Sequence, residues 1–291
     1  MNTFSLFYQF LASFSFLVLA SVGLAVIFGV MNVINFAHAS FIMLGAVFTV
    51  SLVNHAGIPH ALAVLLAILG VAVVGMAIEW LFIRRLYRRI LDCLLATWAI
   101  NMIIVQIVFL IIGSSQRGIP APFGSFTVGG ITYATYTLVI LAFAFLVIGF
   151  LYWLFRHTDF GLRVRAAMQN KDMAEGLGTR TSTLYSVTFG LGAGLAGLTG
   201  ALYAPMMPIT PFFGDQFLWR AFTVVIVGGA DPLIGPLASG AALGLVYSGL
   251  TWFWGTIVGS IGLLAVTMVF IRLFPAGFTG AMQRFRGRGG S

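Results

Sequence analysis

Apolar stretches about twenty residues long, parted by short polar breaks, follow one another along nearly the whole sequence. From Met1 to Ile83 there is neither a lysine nor an arginine. No water-soluble domain could cover its surface with so little charge: 60% of residues are hydrophobic and 8% are charged. The chain is therefore an integral membrane protein. Continuous apolar runs select helices, because barrel strands alternate every second residue. The fold class is all-α, a polytopic helical membrane protein with about eight or nine transmembrane segments, some of them broken. The whole of 1–291 reads as a single transmembrane domain.

In order, apolar runs fall at about 4–31, 41–53, 60–83, 91–112, 135–155, 184–203, 233–253 and 255–274, with a shorter one at 221–227. The first is expected to be a retained helix, since no basic residue precedes it. Residues 113–133 are rich in Gly, Pro and Ser and predict a loop with room for a small hairpin. Pro205, Pro208 and Pro211 predict an irregular re-entry over 204–219. Gly190, Gly194, Gly197 and Gly200 give one segment the small-residue spacing that lets helix backbones approach closely. The single Cys93 permits no internal disulfide.

A net charge of +8 would suit a nucleic-acid surface in a soluble protein. Here the basic residues border apolar runs, so they set orientation and no nucleic-acid partner is expected. Placing 84–89, 156–182 and the tail at 276–291 with Arg272 in the cytoplasm puts thirteen of the fifteen Lys and Arg there. That asymmetry predicts the N-terminus outside and the C-terminus inside.

The longest polar stretch, about 156–182, is too long for an idle connection between helices. Gly161 and Gly178 bracket a helix-compatible segment in which Ala166, Asn170, Met173 and Leu177 form one stripe. Its other faces carry Arg165, Lys171, Asp172 and Glu175, which suits a polar partner groove. The chain has no phosphate-binding Gly-x-x-x-x-Gly-Lys-Ser/Thr, its one lysine being preceded by Asn170. If ATP drives it, another chain must bind the ATP. No catalytic residue, metal site or cofactor is expected, and the chain is not read as an enzyme.

A second polar stretch, Asn32 to Ser40, carries Asn32, Asn35, His38 and Ser40 where lipid would be a costly neighbour. These groups either bond to neighbouring helices or line a path at a broken helix. A matching Gly/Pro break lies at 228–236. Asp92 is expected to pair with Arg88 or Arg89, and Arg220 with Asp215.

Four stretches resemble one family in the same order: Arg163–Gly178, Gly29–His38, Val227-Gly228-Gly229 with Gly235–Gly240, and Pro275–Phe278. They are similar to LivH-type permeases, the membrane subunits of branched-chain amino-acid ABC importers. The resemblance implies that the 156–182 loop docks on an ATP-binding subunit through Arg163, Arg165, Ala166, Asn170, Met173, Ala174, Leu177 and Gly178. It implies a translocation path past Asn32, Asn35, Phe36, His38, Ser40, Gly228 and Gly229. It further implies a second, LivM-like permease, two ABC ATPase subunits, an extracytoplasmic binding protein and a small-molecule substrate, in the bacterial cytoplasmic (inner) membrane. Ala39-Ser40 and Asp231-Pro232 depart from the family pattern and keep urea, short amides and aromatic acids open as substrates. The alternatives are an ion-coupled secondary transporter or a passive channel. The first needs a buried ionisable residue at mid-membrane, and the acid considered for it, Asp92, sits at the edge of a segment.

Overall fold

The computed structural model describes residues 3–87, 89–116, 118–229, 231–275 and 277–280. Arg88, Arg117 and nearly all of the basic tail lie outside the described residues. Helices α1 (Thr3–Met31), α2 (His38–Ala56), α3 (His60–Leu81) and α4 (Ile90–Ile112) come first. Strands β1 (Ser125–Val128) and β2 (Ile131–Ala134) then lead to α5 (Thr135–His157), α6 (Asp159–Gln169) and α7 (Lys171–Gly176). Helices α8 (Thr181–Tyr203), α9 (Asp215–Gly228) and α10 (Ile234–Leu273) complete the described fold.

Seven of these helices are long and apolar enough to cross a membrane. The last of them, α10, is interrupted at Gly255, whose φ of 86° and ψ of 171° lie outside the helical region. A Cβ on Gly259 would sit 2.1 Å from Thr251 Oγ1, atoms that a straight helix holds about 12 Å apart. The chain therefore reverses at Gly255, where left-handed φ excludes most side chains. This matches the boundary expected between 253 and 255. Helix α9, with 14 residues, is too short to span. Its start at Asp215 shortens the expected irregular stretch, which ends at Gly214.

Helix α8 is the hub, packing on α1, α2 and α3. Apolar helices gain little hydrophobic energy from meeting each other in lipid, so contact area and close approach must hold them. Small residues permit that approach. A Cβ on Gly45 of α2 would lie 2.1 Å from the Gly197 carbonyl oxygen, and one on Gly200 would lie 1.8 Å from the Ile42 carbonyl oxygen. Against α3, Gly75 meets Ala193. A polar pin adds to the contact with α1, where Thr199 Oγ1 donates to the Leu19 carbonyl at 2.8 Å.

The β1–β2 hairpin turns through Gly129 and Gly130, both at positive φ (59° and 79°). Two adjacent left-handed residues give the turn whose twist matches paired strands. Its aromatics Phe126 and Tyr133 pack on Phe4 and Tyr8, and Tyr8 donates to the Ala134 carbonyl at 2.7 Å. The start of α1 thus shares one end of the bundle with the hairpin. The opposite, polar end gathers Arg84, Arg85, Arg89, α6 and α7.

Candidate functional site

At the polar end, α6 and α7 form a short two-helix knuckle. Thr158 caps α6, its hydroxyl accepting from Gly161 N at 3.2 Å. Gly161 does not bound the helix as expected; it lies in the first turn, where a Cβ would come within 2.3 Å of the Phe155 carbonyl oxygen. Asn170 breaks the expected single helix. It is extended (φ −157°, ψ 107°) and caps α7, its side-chain oxygen accepting from Met173 N at 3.0 Å. Asparagine is a strong N-cap because that oxygen satisfies a helix-end donor. Gly178 at φ 90° turns the chain out, and Thr179 N donates to the Ala174 carbonyl at 3.0 Å.

The expected docking residues divide. Arg163, Ala166, Asn170, Met173, Leu177 and Gly178 are exposed, Leu177 at 81% and Met173 at 63%. Ala174 is buried, at 3% exposure, and so holds α7 against the bundle. Arg165 is half-buried, with Nη1 enclosed and without a hydrogen-bond partner. An open groove of about 660 Å³ runs beside them, lined by Phe160, Arg163, Leu177, Arg180 and Leu184.

A network ties this knuckle to the bundle. Lys171 and Glu175 approach to 4.0 Å, and Thr181 at the start of α8 donates to Glu175. Lys171 lies over the Tyr185 ring at 5.7 Å, and Tyr185 meets Tyr87 edge-on at 5.4 Å. Tyr87 and Ser186 both donate to Glu79 of α3, which is fully buried. Burial, the hydrogen bond to Glu79 and the Glu79 charge, in that order, push the Tyr87 phenol well above its usual range. Glu79 is the ionisable residue that sequence reasoning passed over. One acid in an apolar run looks like tolerated noise; the neighbouring Tyr87 and the polar start of α8 were the available signal. It corrects the expectation that Asp92 is the acid to consider. Asp92 instead pairs with Arg89 at 3.3 Å on an exposed face, as expected.

Inside the bundle, residues 32–37 leave α1 and climb back along it before α2 begins. His38 Nε2 donates to the Ala20 carbonyl at 2.9 Å, roughly three turns before the end of α1. Helix α2 therefore starts deep in the protein. Asn35 and His38 are fully buried, and Ser40 donates to the Ala37 carbonyl at 2.8 Å. Neither side-chain polar atom of Asn35 has a partner among the described residues, nor does His38 Nδ1. Asn32, at φ 52°, is exposed. Phe36 N accepts no role in a helix; it donates to Thr97 Oγ1 at 3.2 Å while its ring meets Phe222 at 5.1 Å.

Helix α9 begins beside this point. A Cβ on Gly214 would lie 1.9 Å from the Ala39 carbonyl oxygen, so the starts of α2 and α9 are in backbone contact. At the other end of α9, Gly228 packs on Gly235, and Gly229 (φ 85°) turns the chain toward α10. Gly228 and Gly229 thus sit at the far end of α9 from the Ala39–Gly214 contact, while Phe36 meets Phe222 partway along the helix. The expected pairing of Arg220 with Asp215 is not formed; Arg220 stacks on Phe16 and Tyr247 instead. Residues five apart on a helix point roughly 140° away from each other, which explains the correction.

Residues 6–272 match the family model described as branched-chain amino acid transport system / permease component. The chain is 30% identical to a probable branched-chain amino acid transport permease protein LivH of Methanocaldococcus jannaschii, over 91% of this chain and 88% of that one. It is 26% identical to the high-affinity branched-chain amino acid transport system permease protein LivH of Escherichia coli K12, over 90% of both chains. The BraD permease protein of Pseudomonas aeruginosa is 25% identical over 78% of this chain and 79% of its own. No solved structure matches.

Proposed function

The chain belongs to the branched-chain amino acid transport system permease family, and from that premise we propose that it carries branched-chain amino acids or a related small solute across the cytoplasmic membrane as one subunit of an ATP-driven importer. A second, LivM-like permease, two ABC ATPase subunits and an extracytoplasmic binding protein complete the assembly. The polar end faces the cytoplasm and the hairpin end faces outward, as the placement of basic residues favours.

The observation that carries the reading is the α6–α7 knuckle. It is capped at both helix starts, joined to α8, and yet presents Met173 and Leu177 to solvent. Exposed apolar side chains on a braced polar loop are what a docking element needs. The sequence itself offers no phosphate-binding loop of the Walker type. An ATPase subunit docks over Arg163, Ala166, Met173 and Leu177, with Asn170, Ala174 and Gly178 holding their geometry. Solute passes the region where α2 and α9 begin. Asn35 and His38, buried with unpartnered polar atoms, line it.

The test is purification of the tagged chain from its native membrane. ATP-binding subunits are expected to accompany it, and deletion of 166–177 is expected to abolish ATP-driven uptake while leaving the helices inserted. Recovery of the chain without any ATPase, together with intact uptake after the deletion, would sink the proposal. Glu79 gives the ion-coupled alternative a specific footing, being a buried acid. It lies beside the Arg84 turn and is held by two hydroxyl donors, which fits a structural anchor. Uptake that survives a proton ionophore while ATP is maintained separates the two.

A further inference from the structure

A cavity of about 210 Å³ opens between α1, α5, α8, α9 and α10, toward the hairpin end of the bundle. Its walls include Phe16, Leu17, Ile140, Tyr203 and Leu263, and its single charged side chain is Arg220. The guanidinium carbon lies 5.0 Å from the Phe16 ring centre and 5.1 Å from that of Tyr247. Stacking of this kind uses the faces of the ion and leaves its in-plane N–H donors available. Among the described residues no carboxylate pairs with Arg220; the two ion pairs formed lie at the polar end. A half-buried guanidinium among apolar walls loses part of its hydration, and two rings return only part of that cost. Arg220 lines the open cavity, so an anion entering there would meet its donors.

We propose that this cavity is a binding site for a small apolar carboxylate, with Arg220 taking the carboxylate through paired N–H donors and the aromatic and aliphatic walls taking the tail. The inference rests on the transport reading and goes beyond it by placing the carboxylate contact at Arg220; urea or a short amide would lack that contact. The planar guanidinium matches two carboxylate oxygens at once, which a neutral amide cannot reproduce. The cavity is larger than the roughly 150 Å³ that admits a benzene ring in an engineered protein, so one branched side chain fits. No acid lines the wall to meet an ammonium group, so the carboxylate and the tail carry the recognition.

The experiment uses the full chain with its accompanying subunits in lipid nanodiscs, without a binding protein or nucleotide. Binding of radiolabelled 4-methylpentanoate is measured, with 4-methylpentanamide and 3-methylbutylamine as competitors. The carboxylate is expected to bind, and both competitors to displace it at least tenfold less effectively than unlabelled carboxylate. Arg220→Gln is expected to lose at least tenfold in affinity, and Arg220→Lys to fall between, keeping charge but losing the fork. Ile140→Trp, which fills the cavity while leaving Arg220 in place, is expected to abolish binding; it stands as the second variant should Arg220→Gln fail to assemble. Unchanged binding in a well-assembled Arg220→Gln or Ile140→Trp, or an amide that competes as well as the acid, overturns the proposal. Because the readout needs neither ATP nor transport, its failure is distinguishable from failure of the importer reading.

Discussion

Replacing Glu79 tests whether the turn after α3 is tied to the start of α8. Its two carboxylate oxygens accept from Tyr87, in the turn after α3, and from Ser186, in the second turn of α8. Glu79→Ala leaves both hydroxyls, each on a half-buried residue, without their acceptor, so the full burial penalty is an upper bound. Each unsatisfied group costs about 1–3 kcal/mol, so the loss is about 2–6 kcal/mol before any relaxation. Ser186 has a fallback, since its hydroxyl also reaches the Ser182 carbonyl at 3.2 Å, which points to the lower half of that range. Glu79→Gln keeps one acceptor and loses the other, for about 1–3 kcal/mol. Unfolding in mixed micelles titrated with dodecyl sulfate, followed by tryptophan fluorescence, reads these differences. The decisive comparison is a cycle of Glu79→Gln with Tyr87→Phe. A shared network requires a coupling of about 1 kcal/mol or more, whereas independent sites add to within about 0.5 kcal/mol. Additivity would refute the argument that Glu79 binds the turn to the start of α8.

Gly200→Val is expected to prevent assembly, because its first carbon would meet the Ile42 backbone at 1.8 Å, whereas Gly149→Ala, facing open space, leaves yield in detergent unchanged. Asn170→Ala is expected to cost about 1 kcal/mol at the start of α7, seen as faster proteolysis of 165–178 and slower ATP-driven uptake, with Asn170→Asp retaining both. Tyr87 gives an alkaline limit: its folded pKa is raised, so its contribution is complete below the unfolded value near 10 and is lost as pH rises through the folded one. Melting profiles of wild type and Tyr87→Phe should therefore converge at strongly alkaline pH; a constant gap would contradict the assignment.

The helices were legible because the membrane demands length, and apolar length is visible in any sequence. Even the reversal at Gly255 could be placed, as a glycine between two apolar runs. What escaped reading were features that depend on which face a residue presents. Asn170 fits a helical stripe in sequence, but its side chain satisfies a backbone donor better outside the helix than within it. Asp215 and Arg220 look paired by proximity, while helical geometry separates them. Ala174 shares the loop with exposed neighbours and is buried all the same. The starts of α2 and α9 come together only because 32–37 turn back into the bundle, a path that no local pattern encodes.

In the proposed importer, that return path would set how a push at the polar end reaches the interior. Glu175 accepts from Thr181 at the start of α8, so a displacement of α7 by the proposed ATPase would be passed to α8. Further along, α8 touches α2 through Gly45, Gly197, Gly200 and Ile42 with no intervening side chain to absorb the motion. Flexible side chains would dissipate a displacement of an ångström; backbone in contact with backbone transmits it. The first turn of α2 lies beyond that contact, and it carries His38 and abuts Gly214. In that reading, a tilt of α8 would move α2 against α9 or break the glycine contact. For the proposed transport cycle, the small residues of α8 serve as a stiff linkage as much as a packing device.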